Sequence, residues 1–408
     1  MPSSTKSADV LIAGGGFAGL ALAIGLSKSL DGELSVTVVS PAFPDAGTIS
    51  DGRASALSTS SRRVLEALDV WPEIRASVQP VSSIEITDGD TDDIHRPARL
   101  TYDTMLPDGE PSMYIAENGA LLSALYRTAR AARGVTLVPG CSVTALATTA
   151  DTATVTLSDG TTCNAKLAVA ADGRRSVLRD QAGIKVVGWP YDQRAIVAFL
   201  GIATPHHGRA IQHFVPAGPF AILPLTGDRV CLTWSETRAE ADRILALPPD
   251  LFMAEVERRM GTEMSPLRLL RPPQSWPLEM HLARAFIAER TALVGDAAHG
   301  IHPIAGQGIN LGLRDVAALV ETTADTARLG LDIGHGTTLE RYQRWRRFDS
   351  VTATSAFDAL NRIFSRSSPL ERTVRGIGLS IVDGSAALKS WLVDEASGLS
   401  GDRPRMLD

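Results

Sequence analysis

Two segments far apart in the chain carry residue types that suit one long anionic ligand. The first is Gly14-Gly15-Gly16-Phe17-Ala18-Gly19, with Gly14, Gly16 and Gly19 at GxGxxG spacing. Gly14 suits a tight turn, Gly16 lets a pyrophosphate approach the backbone, and Gly19 lets the following helix pack close to the strand. The second runs from Arg290 to Asp315 and contains Gly295-Asp296, then glycines at 306, 308 and 312. An aspartate at a strand end can accept hydrogen bonds from sugar hydroxyls. A glycine-rich loop frees N–H groups to face an anion or a polar ring edge.

The elements that must position these residues are legible around them. Val10-Leu11-Ile12-Ala13 is a short apolar run of the kind a buried parallel strand shows. Leu20–Leu30 then reads as a helix and Leu34–Val39 as a second strand. Strand, glycines, helix and strand within the first 40 residues form the dinucleotide-binding context. One feature departs from it. The second strand ends at Ser40, followed by Pro41, where an acidic residue usually binds the adenosine ribose. Ser40 can still exchange a hydrogen bond. Otherwise Asp45 or another group takes over, or the ribose is held less tightly. In the second segment, residues 290–295 read as a buried strand and those after 312 as mostly helix.

Composition narrows the class. The 408 residues are 44% hydrophobic and 21% charged, ordinary for a globular protein with ample core. A net charge of −6 with no long basic stretch argues against nucleic-acid binding. Cys141, Cys163 and Cys231 are scattered, which argues against a disulfide framework or structural zinc and suits a reducing compartment. The N-terminus lacks the apolar core of a signal peptide, and no apolar run approaches roughly 18 residues. The expected location is cytoplasmic, with the inner membrane face as a peripheral alternative.

Between the two segments the pattern changes. Asn118–Arg133 is helical, Val135–Val138 is a strand, and Ala153–Leu157 and Cys163–Ala170 are strands about the turn 158–161. Residues 190–235 alternate like antiparallel strands, which suggests a second sheet covering a substrate. The Asp88–Asp93 cluster reads as a solvated loop, because no glutamate closes a calcium loop of about twelve residues. His206 and His207 lack a further ligand at useful spacing and read as surface, so no metal site is expected.

A third marker is Asp172-Gly173, which ends an apolar strand and precedes Ser176 and Arg179. Alone it is most often a plain turn. In order with the GxGxxG and Gly295-Asp296 segments, it resembles the single-component flavoprotein aromatic hydroxylases with a para-hydroxybenzoate-hydroxylase-like fold. A narrower resemblance is to the flavin hydroxylases of ubiquinone biosynthesis. Asp51–Leu57, with Leu65, Leu68 and Trp71 after it, resembles their early segment, and His302–Asp315 matches their signature almost unchanged. Gly218–Leu225 and Tyr342-Gln343-Arg344 add weaker matches. Ser40 departs from the pattern, and Ala120 stands where relatives often carry a longer polar side chain near the pyrophosphate.

The resemblance implies an α/β architecture: a discontinuous Rossmann-like FAD-binding domain (1–75, 100–180, 285–330), a mixed-sheet substrate domain (76–99, 181–284) and a helical C-terminal segment (331–408). It implies FAD as cofactor, NAD(P)H and O2 as co-substrates, and an electron-rich aromatic ring as substrate, attacked by a flavin hydroperoxide. The expected product is a hydroxylated polyprenylated phenol of ubiquinone biosynthesis. The same implication extends to a multi-enzyme complex and peripheral membrane contact. The rivals are a same-fold hydroxylase of a small soluble aromatic and a non-catalytic FAD-binding assembly factor.

The residues expected to hold FAD are Gly14, Gly16, Phe17, Ala18, Gly19, Ser40, Arg53, Asp172, Gly295, Asp296, Pro303, Ala305, Gly306, Gln307, Gly308, Ile309 and Asn310. Within that set Arg53 is expected at the phosphates or flavin edge. Asn310 is expected to cap the helix or brace the loop. The loop Pro303–Gly308 would present N–H groups to the flavin oxygen that gains negative charge on reduction. His302, Pro303 and Gly306 are the candidates closest to the chemistry. His299 and His302 could titrate near neutral pH, or simply hydrogen-bond the loop backbone. Phe214, Phe220, Ile222 and Leu223 line a substrate groove or form ordinary sheet core. Arg341, Arg344, Arg346 and Arg347 form a basic helix face, usually a solvated one. The apolar stripe from Leu370 to Leu392 reads as core, or as a docking face.

Overall fold

A computed structural model of the chain describes residues 5–43, 52–89, 98–261, 264–300 and 308–364, and parts of 385–407. Five parallel strands form the first sheet, in the order Val135–Pro139, Val36–Ser40, Thr5–Ala13, Thr162–Ala170 and Thr291–Leu293. Ile287–Ala288 closes one edge antiparallel, and a ladder of Val143–Thr148 with Ala153–Leu157 folds onto Thr162–Ala170. The apolar run Val10-Leu11-Ile12 is fully buried because this strand sits between two parallel neighbours. Each such side chain contributes about 1.5–3 kcal/mol of burial.

The helix Phe17–Ser29 starts three residues earlier than the apolar run suggests, immediately after the glycine loop. Its sequence is so rich in Ala, Leu and Ile that Gly19 through Ser27 are all buried. It packs against the long helix Gly308–Arg328, where Gly25 lies against Val320 and leaves no room for a side chain.

The second sheet is larger. Its order runs Gln274–Ala283, Val186–Ile202, Arg229–Thr237, Gly218–Leu225, Arg209–Val215, Ser83–Asp88 and Ala98–Asp103. Most pairs are antiparallel, and Arg209–Val215 with Ser83–Asp88 is parallel. Ala98–Asp103 thus continues this sheet beyond residue 99. The helices Arg238–Leu245 and Pro249–Met260 cover one face over Ile196, Phe220, Ile222 and Trp234. On the other face Val197, Phe199, Ala210 and Cys231 pack on a small sheet of Ala54–Ser58, Met113–Glu117 and Gln79–Pro80. The helix Gly336–Phe364 follows, and the residues of the apolar stripe from Leu370 to Leu392 lie outside the described residues.

Candidate active site

Parallel register brings the three markers together. Ala13 pairs with Ala170, and Ala170 with Leu293, so the glycine loop, Asp172-Gly173 and Gly295-Asp296 leave neighbouring strands at one carboxyl edge. That edge is where open α/β sheets bind their ligands. Gly14 has φ +112°, and a Cβ there would collide with the carbonyl of Ala171, the residue before Asp172. Gly295 in turn lies against Ala18.

The site fits the pyrophosphate of FAD. Gly16 is the N-cap of the helix Phe17–Ser29, no side chain caps it, and the first turn carries no acidic residue. Open space surrounds the position a Cβ on Gly16 would take. Uncapped N–H groups and the helix dipole together favour an anion there by about 0.3–1 kcal/mol, up to about 2 when partly buried.

Asp296 keeps a side chain that is 48% exposed and pairs, among the described residues, with Arg174 Nε at 3.3 Å. Its backbone is held by His281, whose Nε2 lies 2.8 Å from the Asp296 carbonyl oxygen. Burial holds the His281 imidazole below its ordinary pKa, against the pull of that carbonyl and of the Asp296 carboxylate, so His281 donates as a neutral ring. Arg174 follows Asp172-Gly173 directly and also lies 3.6 Å from Glu279. It is a site residue that sequence reasoning missed, and its adjacency to the marker was the available signal.

Asp172 is occupied by its own turn. It accepts hydrogen bonds from Ser176 Oγ, from Val177 N at 2.8 Å and from Leu178 N at 3.2 Å. Ser40 is similarly engaged: buried, it donates Oγ to the Ala42 carbonyl at 2.7 Å. Beside it, Phe43 covers Gly15 and stacks on Tyr126 with centroids 5.5 Å apart. An aromatic surface therefore borders the place where an acidic residue usually meets the ribose. Asp45 lies outside the described residues. Arg53 is exposed, its guanidinium 5.1 Å from the Trp276 ring centre, between the cofactor strands and the second sheet.

Asn310 braces, and does so at long range. Its Oδ1 accepts from Ser58 N at 3.0 Å and Ser61 Oγ at 2.7 Å, while Nδ2 donates to the Ala56 carbonyl at 2.9 Å. It is fully buried, so its side chain ties the Gly308 helix to the strand Ala54–Ser58. Gly308 and Ile309 are half-buried at the start of that helix. His302, Pro303, Ala305, Gly306 and Gln307 lie outside the described residues.

His299 bonds a buried carboxylate, not the loop backbone. It is 1% exposed, and its Nε2 lies 2.6 Å from Asp315 Oδ2 rather than on the loop backbone. Asp315, wholly buried, also accepts from Gly295 N at 3.0 Å and from Arg346 Nε at 2.9 Å. Burial raises the Asp315 pKa, but the charges of His299 and Arg346 outweigh it and hold the carboxyl below the usual range. Tyr342 adds a hydrogen bond from its hydroxyl to the Leu293 carbonyl at 2.6 Å. The Gly-Asp loop is thus held by Asp315 in one helix and Tyr342 and Arg346 in the next.

Three further expectations change. His206 is buried: its Nε2 lies 2.8 Å from the Leu225 carbonyl and 3.0 Å from that of Gly227, and its Nδ1 accepts from Gly208 N. Arg346 is 4% exposed and belongs to the interior rather than to a solvated face. Strand alternation splits the supposed groove, because Phe220 and Ile222 point to the helix-covered core while Leu223 joins the cluster on the opposite face. Among the described residues no group of three or more His, Cys, Asp or Glu could hold a metal ion, and no helix is long and apolar enough to cross a membrane.

Comparison with known proteins agrees with this geometry. The FAD binding domain family model matches residues 7–347. The chain is 39% identical to ubiquinone hydroxylase UbiL of Rhodospirillum rubrum, covering 99% of this chain and 94% of that one. It is 32% identical to 3-demethoxyubiquinol 3-hydroxylase of Escherichia coli, covering 97% of this chain and all of the other. The crystal structure of p-nitrophenol 4-monooxygenase PnpA from Pseudomonas putida superposes with a TM-score of 0.81 over 98% of this chain and all of that one; at 19% identity this likeness speaks for the fold. The chain belongs to the FAD-binding family, among the flavin-dependent hydroxylases of ubiquinone biosynthesis.

Proposed function

We propose that the protein hydroxylates the aromatic ring of a polyprenylated phenol, using FAD, NAD(P)H and O2. The observation that carries this reading is the convergence of the glycine loop, Asp172-Gly173 and Gly295-Asp296 at one sheet edge. When bound, FAD supplies the redox and oxygen chemistry. The chain's own residues do the rest. Gly14, Gly16, Phe17, Ala18 and Gly19 present the turn and N–H groups to the pyrophosphate. Gly295 and Asp296 take the ribityl and ribose side, with Arg174 and His281 fixing the aspartate. Arg53 reaches the phosphates or flavin edge. Gly308 and Ile309, with the preceding loop from His302 to Gln307, close the pyrimidine end.

Within this reading Asp172, Ser40 and Asn310 serve the cofactor indirectly, by shaping the turn, the strand end and the helix seat. The apolar cluster of Val197, Phe199, Ala210 and Leu225 packs against Ala56, Met113 and Ile115, so the layer between the second sheet and the small sheet is dry, which helps keep water from the reaction. A prenylated ring is lipid-borne, so the reading includes peripheral contact with a membrane, alone or in a multi-enzyme assembly. The test compares kcat/KM for one phenol with and without its prenyl tail. A tailed ring turned over at least about tenfold more efficiently supports the reading. Equal or better turnover of the tailless phenol would replace it with a hydroxylase of soluble aromatics.

A further inference from the structure

Helices Gly308–Arg328 and Gly336–Phe364 border a cavity of about 720 Å³ that includes none of the three cofactor markers. This lies within the roughly 300–1,000 Å³ of small-molecule sites. Its lining holds five arginines, Arg314, Arg341, Arg344, Arg346 and Arg403, against two carboxylates, Glu321 and Asp349. The carboxylates are already shared. Asp349 pairs with both Arg314 and Arg346, and Glu321 with both Arg341 and Arg405. Asp325, behind the lining, likewise serves Arg341 and Arg405. Arg344 pairs with no carboxylate among the described residues, and Arg346 keeps one buried nitrogen, Nη2, without a hydrogen-bond partner. In a chain of net charge −6, this concave surface carries a local surplus of positive charge.

The same cavity has an apolar side. Trp345 and Phe348 line it, and Phe348 is 80% exposed, the most exposed large hydrophobic side chain among the described residues. A solvated basic face would not need a concavity or an uncovered phenyl ring one turn from Arg344. Guanidinium groups match phosphate oxygens in shape and charge, and an aromatic rim retains an alkyl or ring portion of the same molecule.

We propose that this cavity binds a phosphate-bearing amphiphile, with Arg344 and its neighbours on the phosphate and Trp345 and Phe348 on the apolar part. The test titrates the full-length holoprotein with n-octyl phosphate and with inorganic phosphate by calorimetry, and sediments it with phosphatidylglycerol or phosphatidylcholine vesicles. Octyl phosphate should bind at least about tenfold tighter than inorganic phosphate, since each buried methylene adds about 0.8 kcal/mol. Arg344→Glu should weaken octyl phosphate at least about tenfold with flavin content and turnover unchanged. Phe348→Ala should bring the two ligands within about threefold. Vesicle binding that depends on phosphatidylglycerol and is displaced by octyl phosphate identifies a lipid headgroup as the source. Octyl phosphate binding without vesicle binding identifies a free phosphorylated molecule. The proposal is overturned by no saturable binding up to about 5 mM octyl phosphate or by binding that Arg344→Glu leaves intact. Vesicle binding without octyl phosphate binding would likewise overturn it, as it would reflect attraction to the surface rather than to the cavity.

Discussion

Replacing Asp315 by Asn tests the brace behind the cofactor loop. The wild-type carboxylate, fully buried, serves Gly295 N–H, His299 and Arg346 at once. Asparagine keeps the shape and one acceptor oxygen but removes the charge, leaving the buried Arg346 with Asp349 alone. Breaking a buried pair by removing one partner costs about 3–5 kcal/mol. The retained shape and the Asp349 contact place this variant near the lower end, at about 3 kcal/mol. With an unfolding entropy of about 2.1 cal/mol/K per residue over 408 residues, melting of the FAD-free protein should fall by roughly 3–4 °C. Looser support for Gly295 should weaken FAD by about tenfold, the worth of one well-made hydrogen bond.

The pH dependence has a definite sign. Folding holds the Asp315 pKa below its ordinary value, so its stabilisation is complete above about pH 4, the unfolded value, and is lost as pH falls through the lower folded value. The variant should therefore differ most from wild type at neutral pH and converge with it in acid. Adding Arg346→Met to Asp315→Asn should recover part of the loss, because the cost comes mainly from the stranded charge. Differential scanning calorimetry from pH 3 to 8 and FAD titration by flavin fluorescence provide the readouts. An Asp315→Asn protein that melts within about 1 °C of wild type and binds FAD equally well would refute the reasoning.

Gly14→Ala should yield folded protein without flavin, or no soluble protein, because its φ of +112° and the Ala171 carbonyl both oppose a Cβ; the ratio of flavin absorbance to protein absorbance measures this. Asp296→Ala should weaken FAD by about tenfold or more while leaving FAD-free melting nearly unchanged, because its side chain is half exposed; equilibrium dialysis and a thermal melt separate the two effects. Cys231, wholly buried with its thiol pushed up to about 12 by burial, should resist iodoacetamide at pH 8 in the native protein and react once unfolded, as peptide mass mapping would record.

Much of the cofactor framework was legible because its signals are local. Gly14 and Gly19 each have a backbone reason to be glycine, Gly16 leaves open space at the helix start, and the apolar run Val10–Ala13 marks the strand that carries them. The position of Asp296 at the carboxyl edge of the first sheet was legible from the strand before it. What surrounds these residues was not, because it depends on contacts between distant positions. Arg346 reaches Asp315 from another helix, His281 reaches the Asp296 carbonyl from the second sheet, and Asn310 ties its helix to Ala56 and Ser58. His206 illustrates the same limit: a turn with φ +52° at His207 tucks its ring against two carbonyls. Phe220, Ile222 and Leu223 were separable in principle, since the two-residue period of a strand assigns them to opposite faces. Ser40 and Asp172 were read as ligands from their position in a motif, whereas their side chains bond the adjacent turn.

The most direct test of the central claim supplies the flavin-loaded protein with NAD(P)H, a polyprenylated phenol and isotopically heavy O2, and weighs the product. The account expects one heavy oxygen atom on the aromatic ring, with reduced nicotinamide consumed in proportion and both lowered at limiting FAD in Asp296→Ala. Nicotinamide oxidation that ends only in hydrogen peroxide across a range of prenylated phenols, or a ring oxygen drawn from water, would contradict it.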